Sequence, residues 1–548
     1  MRSLLLDRPG TPAAGAGGVA DREGNRGQWF IRVALHVACW VPFISTAVDS
    51  WRGPWRAVGD NARMALQSWN VLSGHVPLVG QPNELPGAPH DLGPIQYWLL
   101  AIPVHLDLSR GVLWGAVLLA MLAASLTIEA AYSALGTTGA LLACGFVIAI
   151  LAWFPGFTTR PEDNPNFGLI WFIPTLAASL AVLSRRRKWW PVLVIAASIA
   201  TQAHLTFAFA SIGVVLIALV AGLIDEFRAK GGYTWLIAGV IAGAVCWVPP
   251  LVQQFTAPKG KGNMFLLLHA ERAGHHVGGA FAMKALASLA VPSPLWWQQN
   301  IGTRDDLFQV LGSMPTALGV FILAITAASL VLAVWWLRSR ELAGLAGISL
   351  LVSVCAATSF ALIPGHVHAL AGQQHDLVFI MFVAALLAWL TVISAAVLAS
   401  RKLISDRPQH ARQPMILRPV SVVTALLVVC GGLLATQQMV SYAGAGANSL
   451  HVGAALARIE RAVPKRPRFA VSVFSPKADK FQVIMGLCYA LVADGYNPDT
   501  WYPKVIRPHW KLPEEAVVIR RGTLTVVKTR VPRKTRGHWR TCNGPFPS

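Results

Sequence analysis

Of the 548 residues, 54% are hydrophobic and 13% are charged, about half the charged share of an average soluble domain. That balance excludes a one-core soluble globule, which needs a charged skin, and it excludes disorder over most of the length. The 21 tryptophans and a mean hydropathy of +0.52 point to lipid as the main solvent; the net charge of +21 fits nucleic acid, anionic lipid or membrane orientation, depending on where the cations sit.

The first 28 residues are rich in Gly, Ala and Arg and read as a disordered cytoplasmic tail with no cleavable signal peptide. A spanning helix needs about 20 apolar residues. Apolar runs fall at 29–49, 111–134, 138–154, 166–184, 189–203, 204–224, 233–254, 314–337, 342–363, 376–399 and 420–441, which predicts about eleven membrane helices. The run 94–106 would reach only about 20 Å as a helix, too short for a core of about 30 Å, so it is predicted to lie along the membrane surface. Basic clusters at 185–188, at Arg228 and Lys230, at Arg338 and Arg340, and from Arg401 to Arg418 mark cytoplasmic ends. With that orientation the N-terminus is inside and the C-terminus outside. The outer face then collects 50–110, 155–165, a turn near 203, 255–312, 364–375 and everything after about 442. Glu129 is the clearest acid inside a span, and a place near the headgroups suits it.

The last stretch, 442–548, is different material. It holds 18 Lys and Arg against 6 Asp and Glu, more than half the net charge of the chain. Residues 468–474 read as a strand, 480–493 as a helix, and 516–520 with 523–527 as a strand pair. The chain thus divides into a tail (1–28), a transmembrane domain (29–441) and a small α/β extracytoplasmic domain (442–548). Five cysteines lie in spans; Cys488 and Cys542 lie in the outer domain, where a disulfide suits an oxidising exterior. No Cys/His spacing resembles a zinc site, so no metal and no cofactor is expected. The basic residues sit outside or at cytoplasmic helix ends, which argues for lipid headgroups or an anionic envelope polymer and against nucleic acid.

The first outer loop carries the most information. It runs Gly59-Asp60-Asn61-Ala62-Arg63, then an amphipathic helix ending at Ser73-Gly74, then Gly80-Gln81-Pro82-Asn83, Pro89-His90-Asp91-Leu92-Gly93-Pro94 and Tyr97-Trp98. The order Asp, short helix, glycine turn, His-x-x-Gly-Pro, Tyr-Trp-Leu-Leu resembles the first extracytoplasmic loop of GT-C glycosyltransferases, similar to bacterial protein-mannosyltransferase and aminoarabinose-transferase-like enzymes. The resemblance covers the order of elements over about 29–224 and the plan of spans followed by an outer domain. The family's Asp after its first helix matches Asp60. Its His-x-Pro-Pro element matches His90, Asp91, Gly93 and Pro94 loosely, with Gly-Pro one residue later. Its second acidic motif falls in Arg160-Pro161-Glu162-Asp163-Asn164. The resemblance implies a sugar donor on polyprenyl phosphate.

Moving a sugar from a lipid phosphate to a hydroxyl needs a base at the hydroxyl and cations or hydrogen bonds at the departing phosphate. Asp60 is the candidate base; it also precedes a helix, where Asp is favoured as an N-cap. Glu162 and Asp163 are candidate catalytic carboxylates, or a solvated loop with Asp163 capping the next helix. Arg160 can pair with them or hold phosphate. His90, Asp91 and His204 either line the site or form turns. Lys259, Lys261 and Arg272, in the basic loop 255–276, are candidates for the donor headgroup, or part of a plain surface loop. His366, His368, His375 and Asp376 are too loosely spaced for a metal site.

The sequence therefore predicts a polytopic α-helical, GT-C-like glycosyltransferase of a bacterial cytoplasmic membrane. It would transfer a sugar with inversion to a glycan, lipid or protein on the outer face. The Ala/Arg/Gly-rich composition suggests a high-GC genome and an arabinosyl or mannosyl donor for cell-wall biogenesis. Two other readings stay open: a polysaccharide polymerase, ligase or lipid flippase, and an inactive relative that binds a partner.

Overall fold

A computed structural model describes residues 20–53, 55–74, 76–82, 89–154, 160–229, 232–269, 276–291, 310–363, 378–405, 469–474, 485–491, 498–501, 516–520, 523–527 and 539–541. The expected span at 420–441 and the histidines of 364–377 lie outside these residues.

The helices are α1 (Ala20–Arg52), α2 (Gly59–Leu72), α3 (Ile95–Leu106), α4 (Gly111–Trp153), α5 (Asn164–Leu183), α6 (Trp190–Ala203), α7 (Ala208–Ala229), α8 (Thr234–Thr256), α9 (Asn263–His269), α10 (Gly279–Ala290), α11 (Thr316–Leu332), α12 (Arg340–Ala361) and α13 (Phe379–Ser405). Among the described residues eight helices are long and apolar enough to cross a membrane: Gln28–Arg52, Gly111–Ala152, Asn164–Leu183, Leu205–Arg228, Thr234–Thr256, Thr316–Leu337, Arg340–Ala361 and Phe379–Ser400. The chain is therefore a polytopic helical membrane protein.

The run 420–441 lies outside the described residues, which accounts for part of the difference from eleven. The runs 111–134 and 138–154 are both helical; they follow one another directly within α4 and are divided where the backbone leaves helical geometry at Gly136 (φ 64°, ψ −151°). The run 189–203 yields a 14-residue helix, below spanning length. The short run near 94–106 is the 12-residue α3, with Trp98, Ile102 and Leu106 exposed and Tyr97, Leu100 and Val104 buried. That two-faced pattern suits a helix lying in an interface. A second short apolar helix, α10, was not foreseen within 255–312.

Helix α5 is the axis of the bundle. Its whole apolar window is buried, and it packs against α4, α6, α7 and α12. At its C-terminal end the basic clusters meet. Arg185 and Arg340 both bond Asp225 (3.4 and 3.1 Å), Arg187 bonds Glu226 at 2.7 Å, and Arg340 also reaches the Leu183 carbonyl. Lys402 bonds the Trp336 carbonyl and lies 5.5 Å from that ring. Glu129, left near the headgroups by the sequence, is held between Arg32 (3.0 Å) and His36 (3.0 Å), with Arg32 over the Tyr132 ring.

The C-terminal strands are β1 (Phe469–Phe474), β2 (Pro498–Trp501), β3 (Ala516–Arg520), β4 (Thr523–Val527) and β5 (Trp539–Thr541), in the order β4-β3-β1-β2-β5. The three central strands are parallel and the two edges antiparallel. The expected strands at 468–474, 516–520 and 523–527 are all present; β2 and β5 went unread. Helix α14 (485–491) connects β1 to β2. Its Met485, Leu487, Tyr489 and Leu491 are buried with Ala62 and Leu66 of α2, Leu100 of α3 and Val112 of α4. Cys488 is disulfide-bonded; Cys542 lies outside the described residues.

Candidate active site

Helix α5 rises about 30 Å over its 20 residues, one hydrocarbon thickness. Its N-terminus therefore sits a membrane away from the basic end, and polar groups of the loops converge there.

Helix α2 positions the first of them. Its N-cap is Val58, in extended backbone, and not Asp60. Gly59 takes the first helical place with φ 56°, so Asp60 falls in the first turn, where the N-terminal end of the helix dipole favours an acid. The N-cap account of Asp60 is thereby removed. Its carboxylate bonds Arg63 one turn on at 3.3 Å; the Asp60 side chain is 46% exposed and Arg63 15%. Arg63 also donates to Gln81 Oε1 at 3.3 Å.

Gln81 belongs to a short antiparallel pairing between the glycine turn and the His-Asp element. The Gly80 amide donates to the Asp91 carbonyl (3.1 Å), the Asp91 amide to the Gln81 carbonyl (2.7 Å), and Pro82 bridges His90. A Cβ on Gly80 would lie 2.8 Å from Asp91 Cβ, and one on Gly93 would lie 2.1 Å from Gln202 Oε1 and 2.7 Å from Pro250. The absence of a side chain lets the two loop segments pair closely at Gly80 and lets the loop press on α6 and α8 at Gly93. From there the buried Asp91 accepts from Asn164 Nδ2 at 2.9 Å, which ties the first loop to the start of α5. The buried His90 is clamped through its backbone: its amide donates to Asn263 Oδ1 (2.7 Å), and Asn263 Nδ2 donates to the carbonyls of His90 (3.0 Å) and Asp91 (3.3 Å). Burial, with help from Arg63, lowers the imidazole to about 4, so His90 is neutral near pH 7.

The second acidic element meets the same cluster. Gln96 of α3 donates to the Glu162 carbonyl at 2.6 Å. The Glu162 side chain is fully buried, and neither carboxyl oxygen bonds another described residue. Burial pushes this carboxyl up to about 8; Asp163 adds to the rise, while its own amide and Arg160 oppose it. Asp163 is half-buried and occupies the N-cap position of α5, but only through its carbonyl, which accepts from the Phe167 amide at 2.8 Å. Arg160 is exposed, its carbonyl held by Asn166 at 2.9 Å. Tyr97 of α3 is buried beneath the cluster; burial raises its phenol, Arg63 lowers it, and Asp91 and Asp60 raise it.

His204 follows α6, its Nδ1 accepts from the Thr206 amide at 3.4 Å, and its Cβ faces Gly168. Lys259 and Lys261 are exposed on the turn between α8 and α9. Arg272 lies outside the described residues. Asn263, Arg63, Gln81 and Gln96 were missed as site residues. Only Arg63 carried a signal, a cation one helical turn from a candidate base.

The arrangement offers an accessible carboxylate backed by a guanidinium, joined by hydrogen bonds to the loop that carries a buried neutral imidazole and to Asn164, two residues after a buried proton-holding carboxyl. Among the described residues no three His, Cys, Asp or Glu side chains gather as a metal site.

No family model matches the chain, and no curated protein matches it. Among solved structures it is similar to ArnT from Cupriavidus metallidurans bound to undecaprenyl phosphate, at 14% identity and TM-score 0.46, over 87% of this chain and 93% of that one. The apo state of the same protein matches at 17% identity and TM-score 0.42, over 85% of each chain. The archaeal oligosaccharyltransferase AglB from Archaeoglobus fulgidus, in complex with an inhibitory peptide and a dolichol-phosphate, matches at 12% identity and TM-score 0.43, over 85% of this chain and 64% of that one.

Proposed function

We propose that the chain is a GT-C-like membrane glycosyltransferase that moves a sugar from a polyprenyl phosphate to an acceptor hydroxyl at the end of the bundle opposite the basic clusters. One observation carries the reading. The three motif elements that resemble that family, at 60, 90–94 and 162–164, are far apart in sequence yet joined by a continuous chain of bonds: Asp60 to Arg63, Arg63 to Gln81, Gln81 to Asp91 and Asp91 to Asn164.

In this reading the acceptor hydroxyl loses its proton to Asp60 as its oxygen attacks the anomeric carbon. The bond from that carbon to the phosphate oxygen breaks, the phosphate leaves with the electron pair, and the configuration inverts. Arg63 and Arg160 supply positive charge where the leaving phosphate gains it. Glu162, fully buried, does not touch substrate in this conformation; it holds a proton behind Gln96 and Asp163 and keeps a second negative charge away from the phosphate. Lys259 and Lys261 stand at the rim, placed to draw an anionic lipid inward. The membrane would be a bacterial cytoplasmic one, with the basic ends inside and residues 442–548 forming an extracytoplasmic domain.

The test uses Asp60→Ala and Asp163→Ala chains in nanodiscs with a radiolabelled polyprenyl-phosphate sugar and envelope acceptors. Loss of a general base costs about 10²–10⁴-fold. Undiminished turnover in Asp60→Ala would remove the base assignment.

A further inference from the structure

The exposed surface of α8 is apolar along its length: Trp235, Ile237, Val240, Ile241, Val245, Val248 and Val252 face outward, and Phe255, near its end, is 82% exposed. In a spanning helix that face belongs to lipid. The stripe does not stop where α8 stops. After the turn 257–262, helix α9 presents Phe265 and Leu268, the latter 81% exposed. Between the two helices stand Lys259 and Lys261, both exposed, and no acid occurs from 257 to 269. An apolar surface continued past a pair of cations is what a headgroup layer fits: hydrocarbon below, phosphate at the level of the lysines.

This hairpin is rigid. Gln253 accepts from the Asn263 amide (2.9 Å), and Gln254 accepts from the amides of Met264 (2.9 Å) and Phe265 (3.3 Å). Two side chains of α8 thus satisfy the first amides of α9 and fold it back. Gly262 packs so closely that a Cβ would lie 2.4 Å from Gln254 Nε2. The first residue of α9 is Asn263, whose amide side chain makes all three bonds to the backbone of His90 and Asp91.

We propose that the end of α8 and helix α9 seat in the anionic headgroup layer of the surrounding bilayer, and that Asn263 transmits this seating to the loop that carries His90 and Asp91. The partner is phospholipid of the bilayer; the lysines read its negative charge and Leu268 its hydrocarbon. Asn263 is a positioning residue: it touches loop backbone and orders it.

The full chain is placed in nanodiscs of phosphatidylcholine, with and without phosphatidylglycerol, carrying photoreactive benzoylphenylalanine at position 268. Illumination should yield phospholipid adducts, more abundant with phosphatidylglycerol. Lys259→Ala with Lys261→Ala should remove that increment, at about fivefold per lysine. Absence of phospholipid adducts, or equal yields in the two bilayers, overturns the seating. If the lysines instead serve only a donor lipid, the double variant weakens donor use and leaves the adduct yield unchanged, which also overturns it. The coupling is read by amide hydrogen exchange at Gly80 and Asp91, whose amides donate to the Asp91 and Gln81 carbonyls and hold the loop. Asn263→Ala should speed both by on the order of tenfold while leaving the adduct at 268 intact. Asn263→Asp, which keeps one acceptor oxygen and loses the donor, should fall between. Unchanged exchange in both variants overturns the coupling. The adduct yield and the exchange rates decide the proposal without transfer activity, so this result stands apart from the proposed reaction.

Discussion

The two ends of α5 treat charge in opposite ways. At its C-terminal end the acids are matched: Asp225 lies between Arg185 and Arg340, and Glu226 against Arg187. At its N-terminal end the polar groups outnumber such matches. Glu162 is buried with both carboxyl oxygens unbonded by other described residues, and His90 is buried and held neutral. An ion-paired end is what stability and orientation require. An end that keeps desolvated titratable groups without ion pairs stores unfavourable free energy, which folds tolerate mainly where chemistry is done.

The largest way to break this contrast is the rate. Asp60→Ala should cost about 10²–10⁴-fold in transfer, whereas Arg340→Ala should leave transfer within about twofold. The second effect is on stability and falls the other way. Arg340→Ala leaves Asp225, 13% exposed, paired with the mostly exposed Arg185 among the described residues. The site is only partly desolvated, so the loss should be about 1–2 kcal/mol, below the range for a fully buried pair. Thermal unfolding followed by tryptophan fluorescence checks it; a silent Arg340→Ala would mean that the basic end marks orientation and holds nothing together.

Much of this contrast was legible in the sequence, and the part that was not has a physical cause. Basic clusters next to apolar runs marked that end of the bundle, because cations sort to helix ends by a rule that reads locally; their pairing with Asp225 and Glu226 was not read. The site's carboxylates were legible through short motifs. Asn263 was not: an Asn after Lys-Gly-Lys-Gly looks like any turn residue, and its role comes from meeting a loop more than 170 positions earlier. The burial of Glu162 was equally hidden. In sequence it sits between two prolines and reads as a wet turn; in the fold it is fully buried, as are Pro161 and Phe167, and Gln96 donates to its carbonyl. The break at Gly136 was readable as a dip in hydropathy, and the helical segments expected on either side of it are both present.

The pH dependence of stability sharpens the contrast further. The folded chain holds the Glu162 proton up to about 8, above its unfolded value of about 4.3. Its contribution to stability is therefore full below that unfolded value and is lost as pH rises through about 8. His90 works in the other direction: its imidazole is held neutral down to about 4, so its contribution is present above 6.5 and is lost as pH falls through about 4. Between 6.5 and about 8 only Glu162 of the pair changes charge. The melting temperature should decline across that window in the parent chain and stay flat in Glu162→Gln. A decline that survives in Glu162→Gln would assign it to other groups.

The smallest effect separates an unbonded group that matters to the reaction from one that does not. Tyr489 of α14 is buried at the same end, packed with α2 and α3, and its hydroxyl has no hydrogen-bond partner among the described residues. Burial raises that phenol, and Asp107 raises it further. Removing a buried hydroxyl that bonds nothing relieves desolvation without creating a void large enough to collapse, so Tyr489→Phe should be neutral or stabilising by up to about 1 kcal/mol, with transfer unchanged. Leu487, one turn-face away and fully buried, controls for docking itself: Leu487→Ala should destabilise by about 2–4 kcal/mol through lost packing. If Tyr489→Phe lowered transfer while Leu487→Ala only lowered stability, the hydroxyl would belong to the working network, and the line between the α14 docking face and the Asp60 cluster would have to be redrawn through α2.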